Sequence, residues 1–169
     1  MNCEQFKKSY KKFDGAPNII HWKDLETPEY VAYSDHMQDC PSCRDWFQTD
    51  QLQLWNVDIS KFPCIHMAFQ ANFQCGNHED PRDCPNTMVI YLDQFEEYGI
   101  PSRDGSDSYW KIDNCPWCGA TLPKSRREQW VRKLKAMGFD PFADVERIPE
   151  AFKSARWYRE GGNPDLRLV

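Results

Sequence analysis

Residues 107–119 read DSYWKIDNCPWCG, and what this stretch does decides the fold. Its first seven residues alternate well enough to form a strand. The strand feeds Cys115-Pro116-Trp117-Cys118-Gly119, where proline and glycine permit a tight turn. Two thiolates at that spacing turn toward one point, which is how a zinc knuckle grips a tetrahedral ion. The expected fold is therefore α+β: a small antiparallel sheet with a zinc knuckle, flanked by N-terminal and C-terminal helices.

The eight cysteines are Cys3, Cys40, Cys43, Cys64, Cys75, Cys84, Cys115 and Cys118, and the four histidines are His21, His36, His66 and His78. An even count invites a disulfide framework, but that needs an exported chain, and the polar, charged first twelve residues do not read as a leader. Two CxxC pairs in a reducing compartment fit zinc better. His36-x3-Cys40-x2-Cys43 is the second constellation. Its offsets share one face of a continuous helix, and Pro41 favours a helix restarting at Cys40; either geometry clusters the ligands. Its spacing is similar to the HxxxCxxC motif of zinc-binding anti-sigma factors.

Around these motifs the chain reads as short elements. A charged helix over 4–13 ends in the turn cluster Asp14-Gly15-Ala16-Pro17. Thr27-Pro28 looks like an N-cap and first helical position, opening a helix that carries Tyr30, Val31 and Met37 inward. A helix from Pro41 presents Trp46, Phe47, Leu52 and Trp55. The centre reads as a three-stranded meander over about 64–73, 87–92 and 107–113, with turns at 74–86 and 99–105. Ser125-Arg126-Arg127-Glu128 fits a capping box, followed by Trp130, Val131, Leu134 and Met137 on one face and a stop at Gly138. Phe139, Phe142, Ile148, Phe152 and Trp157 suggest a tail packed back on the domain. The domain division is 1–60 helical, 61–160 zinc-knuckle domain and 161–169 tail.

The meander sorts the ligands. It gathers Cys75, Cys84, Cys115 and Cys118 at one end of the sheet, with His78 in reserve. Cys64 opens the first strand at the far end, roughly 33 Å away, and joins His36, Cys40 and Cys43, with His66 in reserve. Two zinc ions are expected. Cys3 and His21 have no spacing partner and are expected to bind nothing.

From 64 to about 158 the chain resembles a family of small, mostly uncharacterised bacterial and phage zinc-binding proteins. The match rests on Cys64-x2-Met67, Cys75-x2-His78, Cys84-Pro85, Phe95-Glu96-Glu97-Tyr98-Gly99-Ile100 and CPWCGATLPKSRREQW at 115–130. That family often has a second cysteine directly before the position of Cys64, where this chain has Pro63. The resemblance implies a domain type and no particular reaction.

Charge bears on the choice of function. The chain has 169 residues, 40% of them hydrophobic, with a net charge of −5. Residues 1–60 carry net −4, 61–121 net −5 and 122–169 net +4. No apolar run reaches the length of a membrane span, so no membrane role is expected and the cytoplasm is the expected location. The metalloprotease His-Glu-x-x-His, a phosphate loop, a Gly-x-Ser-x-Gly elbow and the deaminase signature are all absent. Closed cysteine ligation is the mark of a structural ion, so no enzyme is expected. The expected function is a non-catalytic, zinc-stabilised protein acting through protein–protein interaction: an immunity protein or inhibitor that blocks a basic partner. Its acidic loops would be Glu79-Asp80 with Asp83, Asp93 with Glu96-Glu97, and Asp104 with Asp107. The alternative is a zinc-ribbon nucleic-acid-binding regulator using the helix at 124–135, through Lys124, Arg126, Arg127, Arg132, Lys133 and Lys135. A third reading is a zinc-stapled nuclease of the HNH type through His78-Glu79-Asp80-Pro81.

Overall fold

The computed structural model describes residues 1–13, 25–75, 78 and 80–159. The turn expected at 14–17, His21, Glu79 and the tail over 161–169 lie outside the described residues. The chain divides into two compact units, residues 1–59 and 60–169. The fold is α+β, with six α-helices and one three-stranded antiparallel sheet among the described residues.

The first unit is helical: α1 (Cys3–Phe13), α2 (Pro28–Asp39) and α3 (Pro41–Leu54). Thr27 caps α2, its hydroxyl accepting from the Tyr30 amide at 3.2 Å, with Pro28 in the first position as expected. Cys40 ends α2 and begins α3, so a single extended residue makes the corner. Phe6, Tyr10 and Phe13 repeat along one face of α1 and meet Tyr33 of α2. Phe6 and Tyr33 stack with ring centroids 4.7 Å apart. Tyr33 is therefore the residue α2 buries, whereas Val31 and Trp55, expected inside, are exposed. Tyr30, Met37, Trp46 and Phe47 line the edge of this core, and Leu52 is fully buried.

The second unit departs from the expected meander at its first element. Residues 65–72 form α4 (Ile65–Asn72), with Cys64 as its extended N-cap. Ala, Met and Gln favour a helix there, and Cys64, Met67 and Ala71 meet the core at offsets 0, 3 and 7. The sheet is instead β1 (Ile90–Leu92), β2 (Glu97–Pro101) and β3 (Tyr109–Ile112), in the order β1-β2-β3. Residues 99–105, expected to be a turn, thus begin inside the central strand. Tyr98 lies opposite both Tyr91 and Ile112, and this face packs with Met67, Val89, Cys115 and Leu122.

The turn between β1 and β2 places Glu96 at a φ of 54° and sends Phe95 into a second core. Trp130 and Leu134 of α5 (Arg127–Ala136) join it, as do Ile148, Phe152 and Trp157 from the chain beyond. Trp157 belongs to a last short helix, α6 (Arg156–Arg159). The indole N–H groups of Trp130 and Trp157 donate to the Phe152 and Gln94 carbonyls. Phe142 and Met137 stay exposed. Helix α5 starts one residue later than a Ser125 cap requires, with Arg126 in the cap position. The Ser125 hydroxyl accepts from the Arg127 amide at 3.0 Å and donates to Glu97. The expected capping box is replaced by a tie to β2.

Candidate metal centres

Among the described residues, Cys and His side chains converge in three groups, and within each the ligand atoms lie within 4.8 Å of one another. All eight cysteines are free thiols. The first group is Cys3, His36, Cys40 and Cys43. Helix α1 brings Cys3 from its first residue, α2 brings His36 from its last turn, and the α2–α3 corner brings the CxxC pair. Cys3 Sγ lies 3.9 Å from Cys40 Sγ, and His36 Nε2 lies 3.3 Å from Cys43 Sγ. Two thiolates on a tetrahedral ion with Zn–S bonds of about 2.3 Å stand about 3.8 Å apart, so the spacing fits. Amides of Cys43 and Ser42 point at the Cys40 sulfur and, with bonds from the Cys43 and Cys3 thiols, hold Cys40 below the usual thiol range. Burial, aided by the neighbouring thiols, pushes the Cys43 thiol up to about 12. A bound cation reverses that, since thiolate is the form a metal ligates.

The second group is Cys64, His66, Cys115 and Cys118. Helix α4 supplies Cys64 at its cap and His66 in its first turn; the turn after β3 supplies the other two. That turn is the expected knuckle. The Cys115 amide donates to the Ala120 carbonyl at 2.8 Å, the Gly119 amide donates to the Cys115 carbonyl at 2.9 Å, and Gly119 has a φ of 73° that favours glycine. Trp117 of the knuckle stacks on the His66 ring at 5.9 Å. Burial pushes the Cys64 thiol up to about 12 against the opposing pull of the Met67 amide.

The third group is Cys75, His78 and Cys84, with Cys75 Sγ 2.9 Å from His78 Nδ1. Burial raises the Cys84 thiol, but the Cys75 thiol, the amides of Asn86 and Thr87 and the Thr87 hydroxyl prevail and hold it below its usual value.

The partition corrects the expected one. Cys64 sits with Cys115 and Cys118 and not with His36, Cys40 and Cys43, because residues 65–72 coil into a helix against the sheet and do not carry Cys64 away along a strand. Cys75 and Cys84 form their own group with His78. His66 is a full member of the second group, and Cys3, expected to bind nothing, completes the first. A signal for His66 was available: it follows Cys64 by two residues on a segment of helical spacing. Cys3 has no such signal, since only the packing of α1 on α2 brings it in.

Three of the six basic residues expected as a nucleic-acid surface also make contacts within the protein. Arg126 pairs with Glu96 and lies over the Tyr158 ring at 4.7 Å. Arg127 pairs with Glu97 and lies 3.8 Å over the Phe95 ring, and Lys133 lies over Trp157 at 5.1 Å. Glu97, expected on an exposed acidic loop, is buried, with its side chain only 4% exposed. It accepts from the Tyr109 and Ser125 hydroxyls and from Arg127 Nε at 3.1 Å and Nη2 at 2.8 Å. Burial alone would raise its carboxyl, but these donors overcome it and lower it.

A small α+β domain whose cysteines and histidines converge in groups compatible with metal binding is the class these observations define. Residues 61–160 match a Domain of unknown function (DUF6980), and the chain belongs to that family. No curated protein and no solved structure matches the chain. Among the described residues, no helix is long and apolar enough to cross a membrane.

Proposed function

We propose that this chain is a non-catalytic protein held together by zinc, which acts by binding a basic segment of another protein, as an inhibitor or immunity protein does. The observation that carries the reading is the closure of the first two ligand sets. Cys3, His36, Cys40 and Cys43, and likewise Cys64, His66, Cys115 and Cys118, each offer four sulfur or nitrogen atoms and no carboxylate. A tetrahedral ion so held has no position left for a substrate, which marks a structural site. Zinc suits both sets because thiolate and imidazole are its preferred ligands in that geometry.

The sheet offers the partner an anchor. Trp110 is 64% exposed and sits opposite exposed Ile100 across the β2–β3 pair. The carboxylates of Asp107 and Asp113, 91% and 75% exposed, flank it in the sequence, and each also meets a cation of this chain, Arg82 at 3.6 Å and Lys111 at 2.7 Å. A large exposed aromatic in a region of net negative charge suits an arginine- or lysine-bearing segment, with charge steering the approach and the ring giving the contact area. The nucleic-acid reading loses ground because Arg126, Arg127 and Lys133 are committed to contacts inside the protein.

Pull-down from a lysate, with and without nuclease treatment, across a salt series tests this. Wild type should retain a protein partner at low salt and release it as salt rises, and Trp110→Ala should lose it at every salt. Retention that is unchanged by Trp110→Ala but abolished by nuclease, or by neutralising Lys124, Arg132 and Lys135, would replace the reading with the nucleic-acid one.

A further inference from the structure

The third group differs from the other two in a way that has chemical consequences. Its three ligand atoms converge in the segment between α4 and β1, and among the described residues no fourth Cys, His or carboxylate joins them. The loop is nevertheless built to hold Cys84 in place. Arg103 reaches across from the end of β2, donating from Nη1 to the Arg82 carbonyl at 3.1 Å and the Cys84 carbonyl at 2.9 Å, and from Nη2 to the Thr87 carbonyl. Three carbonyls gathered on one guanidinium fix a turn that would otherwise repel itself. Within that turn the Thr87 amide donates to the Cys84 carbonyl at 3.1 Å, closing the turn around the sulfur's residue. Cys84 is 2% exposed and Cys75 half-buried, while His78 is exposed, so the group is closed on the cysteine side and open on the histidine side.

We propose that Cys75, His78 and Cys84 hold a third zinc ion whose fourth position is taken by a monodentate ligand from solution, water or an imidazole, and that this ion exchanges while the other two do not. Two thiolates, one neutral imidazole and water around Zn²⁺ give a neutral complex, a donor set zinc accepts where it keeps an open position. Exchange at that position breaks one zinc–oxygen bond and makes one zinc–nitrogen bond, with no change in oxidation state. Three protein ligands hold an ion less firmly than four, and the exposed His78 side gives a chelator its path. The ion would register the free zinc around the protein without risking the fold, which the closed sets maintain.

The full chain loaded with zinc and challenged with a chromophoric chelator gives the test. Three ions per chain are expected, one released at least tenfold faster than the other two. His78→Ala should remove only the fast phase and leave the far-ultraviolet circular dichroism of the wild type. With cobalt in the fast site, added imidazole should shift the visible ligand-field bands of wild type, while His78→Ala without imidazole should show only the bands of the two closed sites. Two ions per chain with no fast phase would overturn the proposal. So would a third ion that leaves as slowly as the others, or cobalt bands indifferent to imidazole.

Discussion

The ring of Tyr109 occupies the space above Gly99 where a side chain would begin: a Cβ built on Gly99 would stand 2.2 Å from Tyr109 Cδ2. Gly99 is in the central strand, next in the chain to buried Tyr98 and opposite Lys111. The Tyr109 hydroxyl donates to Glu97, so the ring cannot swing away without abandoning that carboxylate. Gly99→Ala should therefore destabilise the second unit by about 1–3 kcal/mol, the usual range for overpacking. Urea unfolding followed by tryptophan fluorescence measures it, and an unchanged midpoint would show that Tyr109 moves freely.

Glu97 makes stability depend on acid. Its carboxyl lies below the ordinary 4.5 when folded, so its contribution is fully present above 4.5 and is lost as pH falls through the folded value. Glu97→Gln should cost about 2–3 kcal/mol at pH 7, the scale of hydrogen bonds to a charged group. The gap between wild type and variant should narrow only below pH 4.5. Metal loss in acid is common to both proteins and cancels in the difference.

Cys64→Ser tests the regrouping of ligands. It should unfold the second unit and release both of that unit's ions, as should Cys115→Ser, since structural zinc supplies on the order of 10 kcal/mol of folding free energy in small modules. Neither should disturb the ion bound by His36, Cys40 and Cys43. Metal analysis together with nuclear magnetic resonance of the 1–59 signals separates the outcomes. Loss of the first unit's ion with Cys64→Ser would restore the grouping expected from sequence.

Cys3→Ser should lower the zinc affinity of the first unit at least tenfold, while Cys64 and its partners keep their ion. Competition with a chelator reads this directly. Equal affinity in the variant would leave Cys3 as a neighbour and not a ligand.

Arg103→Ala should speed release of the fast ion and leave the slow pair untouched. Its guanidinium gathers the carbonyls of Arg82, Cys84 and Thr87 and touches none of the residues in the closed sets. A release rate identical to wild type would show that the Cys84 turn holds its shape unaided.

Elements with strong local signals were legible in the sequence: the Thr27 cap, the knuckle, the strand at 109–112, Trp130 and Leu134, and the stop at Gly138. Helix α4 was misread because Ile65, Met67 and Phe69 also alternate, and a short apolar segment does not declare its period. Strand β2 was missed because Glu97, Gly99 and Pro101 each disfavour a strand locally. Their tertiary partners override that local preference. Arg127 neutralises Glu97, and the Tyr109 ring covers Gly99. Pro101 gives up little, because β1 begins at Ile90, opposite Gly99, and provides no ladder position for a Pro101 donor. These errors moved the ligands: the identities of the eight cysteines were visible, but their partition depended on whether 65–72 was strand or helix.

Among the described residues, the ligands of the first set all come from the helical unit, and those of the other two all come from residues beyond it. The family match starts at residue 61, just past the same point. The helical unit is thus a self-contained cassette, carrying its own core of rings and its own four ligands. Recombination, or a protein engineer, can cut the gene there and graft another module onto the family domain without stranding half a coordination sphere on either side of the splice.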